Sequence, residues 1–296
     1  MEIIPSPLFY PENIHVYPPF KEGLYMEEYF LKFMKDNKYK YDLDGRLYIP
    51  ALWTNFQIIH WFDSRKDEMQ QILDEYIERN KCENGYFTVV QHDDGPKLRI
   101  PENTIVYGAC TGTIPLPLIY QDISNKLDKY PKFEFSDKRL LCSFIGTETH
   151  RVRKHMVGVY GNNNNFYMIT SNDWTPDVAI KSQENYINTS IVSKFALAPR
   201  GYGRSSFRFF ELFKLGCIPI YIWDDKEWIP YKEILDYSKF CISINSRDMD
   251  KIEQIILDID EEKYNKMWEE YEKIKHMFSL DYMCKYVIAN KTIINS

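Results

Sequence analysis

The sequence predicts an α/β protein of two domains, each built around a parallel sheet. Three observations carry this. From Ser193 to Asp225 an apolar run, a glycine-containing loop, a helically spaced segment and a β-branched run follow one another. That is a strand–loop–helix–strand unit, a connection that joins parallel strands. On both sides of the polar stretch Asp122–Lys138, segments of helical and of strand-like periodicity alternate. Finally, 296 residues is long for one domain and natural for two, and a hydrophobic share of 44% is ample for packed cores.

Taken in order, residues 1–20 hold five prolines and no periodicity, so they are expected as an extended arm packed on the surface. Leu24–Met34 places Tyr25, Tyr29, Phe30, Phe33 and Met34 on one helical face. Leu47–Ile49 is a short strand. Ser64, with Asp67 three residues on, opens a helix in the manner of a capping box and runs through Met69, Ile72, Leu73 and Ile77. Tyr86–Gln91 and Thr104–Gly108 are strands, and Ile114–Tyr120 is an apolar stretch stiffened by two prolines. Asp122–Lys138 reads as the inter-domain linker. Beyond it, Leu140–Gly146, Phe166–Thr170 and Phe240–Ile244 are strands and Thr149–Val159 a helix, with further helices through Met249–Ile259 and Tyr264–Phe278. The expected division is a first domain over residues 1–125 and a second over 135–280, with a last helix within 281–296 packing back on the first.

Composition removes several classes of function. The net charge is −6 with no compensating basic tail or stripe, which argues against a nucleic-acid partner. Six scattered cysteines, without a C-x-x-C or a histidine at ligand spacing, read as free buried thiols of a reducing compartment. The amino terminus lacks the basic and apolar regions of a signal peptide. The longest uncharged stretch, Thr104–Gln121, is interrupted by Gly108, Gly112, Pro115 and Pro117, so no transmembrane segment is expected. Aromatic residues, 16% of the chain, suit either sugar-stacking platforms or a large core.

The central unit has the chemistry of an anion site. After the strand Phe195–Ala198 come Arg200, Gly201, Gly203, Arg204, Ser205 and Ser206, and then a helix through Phe209, Leu212 and Phe213 that Gly216 ends. Glycines let backbone N–H groups approach a ligand, and a helix start offers unpaired donors. Arg204 and Arg208 share a face that Glu211 continues. Arginines and amides suit a diphosphate, and a carboxylate suits the hydroxyls of a ribose. The same residues also fit a solvated Arg–Glu pair on an exposed helix.

This segment resembles the signature of the exostosin family of glycosyltransferases, a block of the form F-x-L-x-P-x-G, a serine, R-x-x-E and then G-C-I-P. Phe195, Leu197, Pro199, Gly201, Ser205 or Ser206, Arg208, Glu211, Gly216, Cys217, Ile218 and Pro219 supply it. The resemblance implies the GT-B architecture, two Rossmann-like α/β domains facing a central cleft, with the second binding the sugar nucleotide and the first the acceptor. It implies transfer from a nucleoside diphosphate sugar, with a UDP-sugar as the expected donor and a glycan hydroxyl as acceptor. Arg153 resembles the family's arginine after the first strand of the donor domain, and should join Arg208, Ser205 and Ser206 at the diphosphate, with Glu211 on the ribose. Arg151 and Arg200 are equally plausible there or as surface charges. Many family members carry an amino-terminal membrane anchor, and none is read here, which points to a cytoplasmic enzyme of bacterial or viral origin.

In the first domain the strand ends in His92-Asp93-Asp94-Gly95-Pro96, which resembles the family's plant-type H-D-x-G/A-P. An inverting transfer needs a general base for the acceptor hydroxyl. Asp93 is the first choice, Asp94 the second, with His92 orienting or substituting; the bland alternative is an Asp-Gly turn with solvated carboxylates. Three Asp-x-Asp spacings, Asp42/Asp44, Asp248/Asp250 and Asp258/Asp260, look like turn and helix-end charges, so no metal cofactor is expected. Competing readings are a non-catalytic carbohydrate- or nucleotide-sugar-binding protein on the same scaffold, and a nucleotide-sugar epimerase.

Overall fold

In the computed structural model, which describes residues 2–14 and 16–289, the chain forms two α/β units, each with its own wholly parallel sheet. The first comprises the described parts of Met1–His15, Gly23–Gln121 and Met277–Ser296, and the second comprises Val16–Glu22 and Asp122–His276.

The first unit runs α1 (Met26–Asp36), β1 (Leu47–Tyr48), α2 (Trp53–Gln57), α3 (Phe62–Arg79), β2 (Tyr86–Val90), β3 (Thr104–Gly108) and β4 (Ile114–Pro115), with the sheet in the order β1-β2-β3-β4. Strand β2 is buried along its whole length, as expected of a central parallel strand covered on both faces. On one face Phe56 and, from α3, Met69, Leu73 and Tyr76 close the core. On the other, Phe30 of α1 meets Tyr48 and Phe87 edge-on.

Two expectations for this unit need correction. The amino-terminal arm is not only packed on the surface: Ile4 and Phe9 are fully buried in the core, and Pro7–Phe9 makes a 3-10 turn capped by Ser6. The prolines hold the arm extended, but the apolar residues between them are anchors. Helix α3 begins at Phe62 rather than Ser64, and the Ser64 hydroxyl donates to the Trp61 carbonyl instead of capping an amide. Phe62 is buried beside Phe56, ring centroids 5.5 Å apart, and this burial draws the first turn in ahead of the serine.

The second unit contains β5 (Leu140–Thr147), α4 (Arg151–Tyr160), β6 (Phe166–Ser171), α5 (Ile180–Ile191), β7 (Ser193–Pro199), α6 (Phe207–Lys214), β8 (Ile218–Trp223), β9 (Ile242–Asn245), α7 (Ile252–Leu257) and α8 (Glu261–Ile274). Its sheet has the order β6-β5-β7-β8-β9. Cys142, Phe144, Phe195, Leu197, Ile218, Ile220 and Ile222 form the strand side of the core, covered by Met156 and Tyr160 of α4 and by Ile252, Ile256 and Tyr264. Helix α5 has no counterpart in the sequence reading, because its polar face, Lys181 to Asn185, hides a stripe of only Tyr186, Ile187 and Ile191. The expected linker is packed structure: Leu127 is fully buried, Lys138 donates to the Ile191 carbonyl, and Lys214 pairs with Asp122 and Asp128.

Helix α9 (Leu280–Ala289) returns to the first unit, where Tyr29 donates to Asp281 at 2.6 Å and the Leu43 amide to the Ile288 carbonyl at 3.0 Å. The remainder of the helix expected within 281–296 lies outside the described residues. No described helix is long and apolar enough to cross a membrane.

Candidate functional site

Strand order locates the site. In the second sheet β5 is followed by β6 on one side and β7 on the other, so the chain reverses its direction of winding between β5 and β7. Loops leaving the carboxyl ends of such a strand pair diverge, and open α/β sheets bind their ligands in that crevice. Here the β5–β7 register runs from Leu140 opposite Ser193 to Ser143 opposite Ala196. Beyond it, Arg153 of α4 spans the gap: Nη1 donates to the Thr147 carbonyl at 2.9 Å, Nη2 to Pro199 at 3.4 Å and Nε to Arg200 at 3.1 Å. These partners are neutral carbonyls, so the cation keeps its charge in a buried place. Burial and the nearby charge of Arg208 together push its pKa down to about 10.

Arg208, in the first turn of α6, completes a pair of guanidinium groups. It lies over the rings of Phe144, 4.5 Å to the centroid, and Tyr186, 5.3 Å. Its Nε and Nη1 are buried and have no hydrogen-bond partner. A buried donor left unmade costs on the order of 1–3 kcal/mol, so such a group stands out. Glu211, one turn further along α6, is buried and accepts from the Tyr186 hydroxyl at 3.3 Å. Burial and the Glu211 carboxylate hold that phenol well above its ordinary pKa. Ser206 is the N-cap of α6, with extended φ and ψ but no side-chain capping bond, and Ser205 precedes it half-buried in the loop. Gly201 faces Arg153: a Cβ there would stand 3.3 Å from Nη2. Gly203 is buried in the same loop.

Arg200 and Arg151 sit in a different arrangement. Asp224, just past β8, accepts from Arg200 at 2.7 Å and from Arg151 at 3.0 Å. Asp225 accepts from Arg200 and Arg204. Burial pushes the Asp224 carboxyl up, but the bonds from Arg200 and Arg151 outweigh it and hold the group below the usual carboxylate range. Arg200 also donates to the Tyr202 carbonyl. This network fixes the Arg200–Arg204 loop over the strand ends, with both arginines already neutralised by aspartates.

On the first unit, β2 carries the chain into Gln91 and His92. The fully buried Glu27 carboxylate anchors this point, accepting from the Gln91 amide at 2.5 Å, the Thr54 amide at 2.9 Å and the Thr54 hydroxyl at 2.7 Å. Burial pushes its pKa up to about 7, against those three donors. His92 accepts from the Asp94 amide on Nδ1 at 3.1 Å, which leaves the proton of the neutral ring on Nε2. Burial, with the Lys97 charge, pushes its pKa down to about 4. Asp93 and Asp94 are exposed, and Asp94 pairs with Lys97 at 3.3 Å. Gly95 closes the turn at φ +75°, its amide donating to the His92 carbonyl, while Gln57 clamps the next turn by bonding Gly95 and Lys97.

The Asp-x-Asp pairs have structural occupations. Asp42 accepts from the amides of Asp44 and Arg46, Asp248 pairs with Lys251, and Asp260 caps α8. A concavity of about 1120 Å³ runs along β9 between Tyr237, Ile242 and Met267, lined by lysines and acids in mixture, and holds none of the residues singled out above. Sequence reasoning missed Tyr186, which belongs to the undetected helix α5, and the segment Val16–Glu22. Phe20 of that segment stacks on Tyr186 at 5.9 Å, and Tyr17 meets Phe207 and Trp174 edge-on at 6.0 and 5.6 Å. No sequence signal marks a contact between residues so far apart in the chain.

A family model described as the exostosin GT47 domain matches residues 109–259, just over half of the chain. The match includes Arg151, Arg153, Arg200 and the whole of α6, and it leaves out His92–Asp94. A probable glycosyltransferase of Arabidopsis thaliana is 29% identical over 102 residues, 34% of this chain and 22% of that protein. The exostosin-1 homolog of Caenorhabditis elegans is 28% identical over 171 residues, with 49% of this chain and 43% of that protein covered. A probable glucuronosyltransferase of Oryza sativa subsp. japonica is 28% identical over 125 residues, covering 42% and 26%. The chain thus spans less than half the length of these relatives. Among solved structures, TarM aligns with a TM-score of 0.37 and 10% identity, over 75% of this chain and 58% of that one. Sucrose-phosphate synthase of Thermosynechococcus elongatus aligns with a TM-score of 0.40 and 9% identity, over 89% and 70%. With its signature strand, loop and helix inside the matched residues, the chain belongs to the exostosin GT47 family.

Proposed function

We propose that this protein is a glycosyltransferase that moves a sugar from a nucleoside diphosphate sugar, a UDP-sugar, to the hydroxyl of a glycan acceptor. The observation that carries the reading is Arg208: a half-buried side chain whose Nε and Nη1 are buried without a hydrogen-bond partner, beside the carbonyl-bound Arg153, at the crevice where the second sheet reverses its winding. A diphosphate would satisfy those donors and neutralise the pair, and Glu211 lies one turn on, where a carboxylate suits a ribose diol. Fixed cations aimed at a leaving group lower the barrier because they need no reorganisation as charge develops. Supplied by arginines, that stabilisation asks for no metal ion. The loop residues Gly201, Gly203, Ser205 and Ser206 add short side chains and amides at the same helix start.

On the acceptor side Asp93 is the general base. The acceptor O–H gives its proton to the Asp93 carboxylate as the oxygen attacks the anomeric carbon. The bond from that carbon to the diphosphate breaks, and the nucleoside diphosphate leaves with the electron pair, inverting the configuration. His92, neutral above about pH 5 by its depressed pKa, orients the turn through its bond from the Asp94 amide.

The test is incubation of the purified chain with a panel of UDP-sugars and other nucleotide sugars, with and without oligosaccharide acceptors. Release of UDP that depends on acceptor, together with a glycosylated product, supports the reading. Isomerised donor without acceptor would assign an epimerase, and binding without turnover across the panel would assign a binding protein.

A further inference from the structure

Trp174 lies in the loop after β6, at the carboxyl ends of the second sheet, and is 52% exposed. Its one ring neighbour among the described contacts is Tyr17, whose own ring meets Phe207, the first residue of α6. The next residue is Arg208. Three rings therefore lead from the start of the anion-binding helix to a half-exposed indole. The segment that carries Tyr17 is fastened at its other end, where Phe20, buried, stacks on the Tyr186 that bonds Glu211.

We propose that Tyr17 and Trp174, backed by Phe207, form a stacking platform for the planar heteroaromatic base of a nucleotide whose diphosphate lies at Arg153 and Arg208. The inference rests on the nucleotide reading above and adds to it a binding residue, Tyr17, that lies outside the residues matched by the family. A half-exposed indole two rings away from the residue before Arg208 offers a flat π-face on which another planar ring can stack. Stacking of this kind tolerates any base, so the platform supplies affinity for the nucleoside while the arginines supply affinity for the anion.

The experiment compares two probes, UDP and inorganic pyrophosphate, by calorimetric titration of the full chain and of Tyr17→Ala, Trp174→Ala, Tyr17→Phe and Arg208→Met. The expected result is that both alanine variants raise the Kd for UDP by roughly tenfold while the Kd for pyrophosphate stays within about twofold of the parent. Tyr17→Phe keeps the ring and retains most of the affinity, and Arg208→Met weakens both probes. Unchanged pyrophosphate binding shows in the same samples that the variants are folded. If the parent binds both probes and the alanine variants bind UDP as the parent does, the platform is overturned and the anion site stands. If neither probe binds the parent, or Arg208→Met weakens neither, the anion reading falls and takes the platform with it.

Discussion

Arg208 lies across Gly146: a Cβ built on that glycine, at the end of β5, would stand 2.6 Å from Nη2 of the guanidinium. The glycine's φ is ordinary, so what it provides is room and not a rare conformation. The atoms in the way are the far end of a long side chain, which can move. Gly146→Ala should therefore displace the guanidinium and raise the Kd for UDP by roughly tenfold, while stability changes by less than about 1 kcal/mol. Titration and urea denaturation of the same preparation check it. A large loss of stability with intact binding would mean that the glycine serves the sheet and not the site.

Arg208 should also be expensive to the free protein. Removing its charge with Arg208→Met discards two buried unmade donors and keeps the packing on Phe144 and Tyr186. The expected outcome is unchanged or higher stability, by up to about 2 kcal/mol, together with loss of pyrophosphate and UDP binding. A variant that is clearly less stable would show that the guanidinium has bonding partners in the free fold.

Glu27 and His92 titrate against each other. Glu27 is raised in the folded state, from 4.5 to about 7, so stability falls as pH rises across that window, where the unfolded chain has lost a proton that the folded one keeps. His92 is lowered, from 6.5 to about 4, so stability is lost as pH falls across that window, where the unfolded chain takes up a proton that the folded one refuses. Each contribution is on the order of 3 kcal/mol at full extent. The two slopes oppose between about pH 4.5 and 6.5, and the parent should be nearly flat there. Glu27→Gln should unmask stability that rises with pH, and His92→Gln stability that falls with it. Denaturant midpoints from pH 4 to 8 decide; parallel curves for all three proteins would remove both assignments.

For the base, Asp93→Asn should lower turnover by about 10²-fold or more with the Kd for UDP unchanged, and Asp94→Asn should leave turnover within severalfold. Steady-state rates beside titrations separate the two. The reverse pattern would transfer the role to Asp94, and parent-like rates in both would remove the turn from the chemistry.

Much of this was legible in the residues alone because its signals are local. The strand–loop–helix around Arg208 and Glu211 announces itself through glycines, a helical stripe and a β-branched run that lie side by side. The helix end at Gly216 follows from the same short-range rules. What stayed hidden was set by distance in the chain. Arg153 was expected at a diphosphate, but its bonds to both Thr147 and Pro199 depend on strand order, which no periodicity encodes. Arg200 and Arg151 read as either diphosphate ligands or surface charges, and only the fold shows that Asp224, distant from both in the chain, accepts from each. Helix α5 was lost in a polar stretch, and with it Tyr186.

The segment Val16–Glu22 has a consequence for how the molecule comes into being. The chain enters the second unit there, leaves it, returns at Asp122 and leaves again after His276. On the ribosome, Phe20 is made early and waits without its partner until Tyr186 has emerged, after the whole sheet of the first unit has been synthesised. A fragment trimmed to the family match would lack the Phe20 ring that stacks on Tyr186 and the Tyr17 ring that meets Trp174, so a piece that keeps both contacts must reach back to Tyr17.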